Sequence, residues 1–216
     1  MHIPDGFLTG PVLGVTAAAS AAALAAGLRE AGAGLGERQV PVMGAVAAFV
    51  FGAQMVNFPI LFGTSGHVLG SLLCALVLGP WPAFIVMTTV LIIQALLFGD
   101  GGCLALGANV LNMAVIATFG GYFAYRFLKR FLPGPVSIFG AGWFSVVAAA
   151  LACAVELGIS GCVPMGLAVS AMGFWHALIG VGEGLITALV IGYLARVRPD
   201  VIYDLGEQPV GEESSL

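Results

Sequence analysis

Charge is what this sequence has least of. Asp, Glu, Lys and Arg make up 8% of its 216 residues, where soluble domains carry about 25%. Hydrophobic residues make up 60%, and the mean hydropathy is +1.06. A chain so poor in charge cannot face water over most of its surface, which excludes a soluble enzyme and leaves an integral membrane protein. Other absences narrow the field. No basic patch offsets the net charge of -4, so nucleic acid is excluded as a partner. There is no G-x-x-x-x-G-K-[ST] loop, so ATP is not hydrolysed by that route, and no H-E-x-x-H, so a zinc-dependent intramembrane protease lacks its motif. No inverted repeat of the kind expected of a self-contained secondary transporter is visible.

Cysteine is scarce too. Cys74, Cys103, Cys153 and Cys162 form no C-x-x-C pair, so zinc-site spacing is missing. They read as small buried apolar residues, with a Cys103–Cys162 disulfide near the outer helix ends as the alternative. No Lys or Arg precedes Arg29, and Asp5 stands before the first apolar stretch, so a positively charged signal-peptide start is absent. The expectation is an uncleaved chain. His2 is too large for removal of the initiator, so Met1 is expected to stay, with a free amine.

What is present is mostly membrane helix. A crossing needs about 20 apolar residues. Spans are expected at Phe7–Leu28, Val40–Phe62, Pro82–Phe98, Ala105–Tyr125, Val136–Ile159 and Ser170–Tyr193, with a shorter apolar run at His67–Leu78. The cations decide how to treat that run. Arg29 and Arg38 follow the first span, Arg126, Lys129 and Arg130 follow the Ala105 span, and Arg196 and Arg198 follow the last. If His67–Leu78 crosses, every Lys and Arg is cytoplasmic. If it does not, the positive-inside rule is broken. The expected fold is therefore all-α, with about seven transmembrane helices, one of them short and shielded by its neighbours. Residues 1–198 form one transmembrane domain, and residues 199–216 a cytoplasmic tail carrying Glu207, Glu212 and Glu213. The runs Ala17–Ala23 and Met43–Ala48 offer small residues for close helix packing, either within the bundle or against a partner.

This topology puts Met1, His2 and the loops at Gly63–His67, Gly99–Cys103 and Ser160–Pro164 on the outer face. A histidine beside a free α-amine is a nitrogen chelator. The amine of Met1, the backbone N of His2 and its imidazole Nδ1 can close adjoining rings around one divalent ion. His67, expected on the same face at the start of a short helix, is the best fourth donor. An all-nitrogen tetragonal set suits Ni(II) or Cu(II), whereas zinc prefers tetrahedral ligation and magnesium prefers oxygens. The plainer alternatives are a solvated terminal His2 and a His67 at the headgroup level. Asn57, Ser65, Asp100, Asn109, Asn112 and His176 are the residues expected to support the site, because a ligating imidazole donates its other N–H to an acceptor. Asp5 is expected to cap the first helix. Ionisable groups inside spans are functional candidates by default. His176 and Glu183, about 10 Å apart along one helix face, raise the alternative of a proton-coupled carrier, and Glu156 lies near the outer end of its helix.

Three stretches carry a resemblance. Met1-His2-Ile3-Pro4-Asp5-Gly6-Phe7-Leu8 is similar to the amino-terminal signature of the CbiM/NikM family, the substrate-binding (S) membrane components of energy-coupling-factor transporters for cobalt and nickel. Gln54–Ile60 with Gly63–His67, and Gly99–Gly102 with Gly107–Met113, resemble its second and third signatures. The resemblance runs to about Tyr193. It implies a six-helix S-component core plus an added amino-terminal helix, with Met1, His2 and His67 as the metal ligands. The implied function is capture of Co2+ (alternatively Ni2+) as transported substrate, feeding cobalamin synthesis, with no organic cofactor. The implied partners are a transmembrane coupling (T) protein, ATPase (A) subunits and a small accessory membrane protein. The implied location is the bacterial inner membrane, amino terminus outside and carboxyl terminus in the cytoplasm. Binding through neutral nitrogens further predicts weaker uptake at acid pH.

Overall fold

The computed structural model describes residues 1–34, 36, 39–60 and 64–203. Arg38, Gly63, the end of the second expected span at 61–62, and Glu207, Glu212 and Glu213 of the tail lie outside these residues. The described chain forms the helices α1 (Gly10–Gly34), α2 (Gln39–Met55), α3 (Ser71–Leu78), α4 (Pro80–Phe98), α5 (Leu106–Leu128), α6 (Gly134–Ile159) and α7 (Met165–Val197). Proline and glycine set the ends. Pro80 occupies the first turn of α4, and Gly79 before it and Gly99 after it have φ of 85° and 64°. Five of these helices, α1 and α4 to α7, are long and apolar enough to cross a membrane; α2 is apolar but has 17 residues.

Two expectations are corrected. Within the described residues the second span is helical only as far as Met55. After α2 the chain forms β1 (Phe58–Ile60), which pairs antiparallel with β2 (Thr64–Gly66), Phe58 opposite Gly66. Pro59 within this stretch cannot donate to a helical ladder, which favours the extended form. His67 does not begin a helix either. It lies in an irregular stretch between β2 and α3, and only Ser71–Leu78 is helical. All eight residues of α3 are buried. At about 1.5 Å per residue α3 is about 12 Å long, well short of a hydrocarbon core of about 30 Å. Irregular backbone at such depth is tolerated where protein satisfies its polar groups, and here it does. The Leu69 and Gly70 N–H groups donate to the two Glu183 oxygens at 2.7 and 2.8 Å, and the Leu69 carbonyl accepts from Gln54 Nε2 at 2.7 Å.

Around this buried element the helices approach through small residues. Gly142 of α6 lies against Gly184 of α7, where an added Cβ would meet backbone. A Cβ on Gly107 of α5 would strike the Ala17 backbone of α1, and Ser20 Oγ donates to the Gly107 carbonyl at 2.6 Å. Part of the Ala17–Ala23 run thus packs inside the bundle.

Candidate metal centre

The first three residues are core. Met1 and Ile3 are 1% and 0% exposed, and His2 is buried with them. No regular element holds them, so side chains do. The Ile3 N–H donates to Asn109 Oδ1 at 2.8 Å, and the Ile3 carbonyl accepts from Asn109 Nδ2 at 3.1 Å and from the Gly102 N–H at 2.9 Å. Gly101, at φ 94°, takes a conformation that favours glycine, and a Cβ at Gly102 would fall on the Asp5 carboxylate and backbone. This accounts for the Gly-Asp-Gly-Gly run. Asp5 is the next correction. The chain turns at Gly6 (φ 87°), and the Asp5 carboxylate accepts from the N–H groups of Cys103, Leu104 and Ala105 at 3.1, 2.8 and 3.1 Å. It ties down the approach to α5 and does not cap the first helix.

Pinned this way, the Met1 amine donates to the Ser65 carbonyl, lies 3.1 Å from Ser65 Oγ and stands 3.3 Å from His67 Nε2. Two nitrogens each about 2.0–2.1 Å from one ion stand about 3 Å apart when adjacent in its coordination sphere, so this pair is already at ligand spacing. The His2 and His67 rings stack with centroids 4.7 Å apart. His67 Nδ1 is 2.8 Å from the Val68 carbonyl, to which only an N–H can bind, so its Nε2 carries the lone pair facing the amine. His2 Nε2 is 3.1 Å from Gln94 Oε1, while His2 Nδ1 is buried without a hydrogen-bond partner, 3.3 Å from Asp100 Oδ1 but not aligned for a bond. Among the described residues no three His, Cys, Asp or Glu side chains gather as a metal site.

Burial keeps the donors neutral. It pushes the Met1 amine from its ordinary 8.0 down to about 5, against the pull of Cys153 and Asp100. It pushes His2 from 6.5 to about 3, helped by the adjacent amine and opposed by the bond to Gln94. Asp100 is raised by burial, against the amine and the Asn57 hydrogen bond.

The expected supporting residues divide. Ser65 touches the amine, Asp100 stands beside His2, and Asn57 Nδ2 donates to Asp100 Oδ2 at 3.1 Å. Asn109 acts on the Ile3 backbone and not on an imidazole. Asn112 is not brought to the site: its Nδ2 donates to Glu156 Oε2 at 2.7 Å. His176 on α7 is fully buried, with Nδ1 2.9 Å from the Met172 carbonyl and Nε2 without a partner. Cys103 and Cys162 are free and exposed, so no disulfide joins them, while Cys74 and Cys153 are buried. Gln94 is the residue that the sequence reading passed over. An amide in the middle of the apolar run before Phe98 is the signal that marks it.

The family described as "Cobalt uptake substrate-specific transmembrane region", CbiM, matches residues 2–201. The chain belongs to the CbiM family. Other likenesses agree. A provisionally named fused nickel transport protein, NikMN, of Archaeoglobus fulgidus is 45% identical over 204 residues, covering 94% of this chain and 68% of the relative. A cobalt transport protein CbiM of Geobacter sulfurreducens is 33% identical, covering 98% of this chain and 64% of the relative. The crystal structure of a truncated transition metal transporter superposes with a TM-score of 0.86 at 41% identity, covering 91% of this chain and 99% of that one. This CbiM-family chain is thus a multi-pass membrane protein of a cobalt and nickel transport family. Relatives are named as transport proteins and not as enzymes.

Proposed function

We propose that this chain is the ion-capturing subunit of an ATP-driven importer, taking one Ni2+ or Co2+ ion at its outer face through the Met1 amine, His2 and His67. The observation that carries the reading is the burial of residues 1–3 with the amine 3.3 Å from His67 Nε2 and an unpartnered His2 Nδ1 beside it. A buried polar atom without a partner costs roughly 1–3 kcal/mol, and an ion would remove that cost. The donors are nitrogens, a set that suits Ni2+ in planar geometry. The 45% identical relative with a nickel name supports the same ion, and Co2+, which the resemblance suggested, is the alternative. The backbone N–H of His2 donates to no partner among the described residues, so that nitrogen, once deprotonated, is available as the third chelating atom.

In this reading the hydrated ion arrives from outside and exchanges its waters for the neutral amine and imidazoles and for the His2 amide nitrogen, whose proton leaves with the displaced water, while Asp100 offsets the ion's remaining charge. The His67–Leu78 segment is the short crossing. Its backbone is covered by Glu183 and Gln54 instead of by a full helix, which supports a reading with seven crossings of the cytoplasmic (inner) membrane, the amino terminus outside and every Lys and Arg on the cytoplasmic side. The chain carries no ATPase loop, so a coupling membrane protein, ATPase subunits and a small accessory protein would drive release. Glu183 gives no support to a proton carrier, because both its oxygens accept backbone N–H groups.

The test is titration of the purified protein with Ni2+ and with Co2+, repeated with one residue added before Met1. The added residue moves the amine out of chelating position. Affinity should fall at least 100-fold and the visible spectrum should change. Unchanged affinity and an unchanged spectrum would overturn the reading.

A further inference from the structure

Gln54 and Gln94 touch no proposed coordination position except through His2, yet both are completely buried. An amide side chain has an oxygen that only accepts and a nitrogen that only donates, so a line of amides has a direction. One end of this line is the Leu69 carbonyl, which can only accept. Gln54 must therefore present its Nε2 there, 2.7 Å away. Gln54 Oε1 then faces Gln94, which must answer with its own Nε2 at 3.0 Å. The atom left for His2 is Gln94 Oε1, 3.1 Å from the imidazole Nε2. An oxygen that only accepts requires Nε2 to carry the hydrogen. The lone pair is thereby confined to Nδ1, the atom without a partner.

The far end of the line is fixed as well. The Leu69 and Gly70 N–H groups are held by the two Glu183 oxygens at 2.7 and 2.8 Å, and a Cβ at Gly70 would strike Val50. The Leu69 peptide cannot readily turn over, so the chain has one polarity.

We infer that Gln54 and Gln94 are positioning residues that select the His2 tautomer, by a directed hydrogen-bond chain that starts at the Leu69 carbonyl. The inference rests on the proposed metal reading and adds to it the groups that make His2 Nδ1 a donor. Leu69 lies two residues beyond His67, so the segment that presents one imidazole also sets the tautomer of the other. Partners of a ligating imidazole commonly change metal affinity about 10–100-fold.

The test uses the full chain, metal-free and 15N-labelled at histidine, followed by titration with Ni2+ alone. In the unaltered protein His2 should be protonated at Nε2 and bare at Nδ1. Gln94→Leu should weaken Ni2+ binding about 10–100-fold. Gln54→Leu leaves Gln94 in place but frees its amide to turn over; it should give a mixture of His2 tautomers and a smaller loss, about tenfold. Because Gln54 acts only through Gln94, Gln54→Leu should cost nothing further in a Gln94→Leu background. His2 protonated at Nδ1 in the unaltered protein overturns the inference without need of any variant. So does a Gln54→Leu protein with both tautomer and affinity unchanged. A chain extended before Met1 that binds Ni2+ normally would instead remove the amine ligand, while the tautomer measurement would still decide the role of the amides.

Discussion

Met1 and Ile3 are 1% and 0% exposed although no helix or strand contains them, while α1, which follows a few residues later, has only 17% of its most apolar stretch buried. The two regions are stabilised by different means. A helix satisfies its own backbone, so α1 can lie at the margin of the bundle with Val15 and Leu28 70% and 59% exposed. The segment before it has no internal ladder. The Ile3 backbone is satisfied by Asn109 and Gly102, and the Asp5 carboxylate ties the segment to the N–H groups of the turn at 103–105. Hydropathy identifies the first kind of element. The second kind is held by a few specific groups, and single substitutions should separate the two.

The largest effect should come from Asn109→Leu, which strips the Ile3 N–H of its acceptor and removes one donor from the Ile3 carbonyl. Leaving such a buried group unpaired costs about 1–3 kcal/mol and the lost bond about 1 kcal/mol more. Thermal unfolding should register the sum, and Ni2+ titration should show the amine no longer presented to His67. Full stability with intact binding would mean that the terminus holds itself. Acidification comes next. The amine is held at about 5 and His2 at about 3, so both are already neutral at pH 7, below the ordinary 8.0 of an amine. No proton on these two groups then needs displacing between pH 8 and about 6, where the single proton released per ion comes from the His2 amide, and loading should fall more steeply as pH drops through about 5. Loss of loading centred near pH 8 would show a solvated terminus. Loading that does not change at all between pH 8 and about 6 would instead remove the His2 amide from the set of ligands.

Gly102→Ala should destabilise the protein by about 1–3 kcal/mol, because the new methyl meets the Asp5 carboxylate and backbone; unfolding in denaturant measures it. Asp5→Ala removes the acceptor of three N–H groups at an exposed turn and should cost about 1 kcal/mol, with faster amide exchange at 103–105. The smallest effect belongs to α1. Val15→Ala, on its exposed face, should change stability by less than about 0.5 kcal/mol, and a larger loss would reveal a contact that covers this helix.

The same contrast separates what can be read from sequence here from what cannot. Helices α4 to α7 fall within a few residues of the apolar runs, because length and hydropathy are properties of the run itself. The pairing of the first two residues with His67 was also open to reading, since a free amine beside an imidazole is a chemical signature that needs no fold. The hairpin at Phe58–Gly66 and the shortening of α3 were not. Short apolar runs do not distinguish strand from helix, and the group that satisfies the Leu69 N–H is Glu183, 114 positions away. Asn112 and Asn109 show the limit most plainly. They are three residues apart on α5, yet Asn109 grips the Ile3 backbone and Asn112 turns to Glu156. Composition treats them alike, and only the packing of α6 tells them apart.

The stretch between β2 and α3 has a dual attachment that bears on unloading. Its His67 offers one donor, and its Leu69 carbonyl terminates the amide line that governs the other imidazole. On the function proposed above, drawing this strip of backbone aside would withdraw the His67 imidazole and loosen the support of His2 in a single motion. In the proposed reading the terminal dipeptide would then be left as the sole hold on the ion, with its imidazole no longer braced from behind.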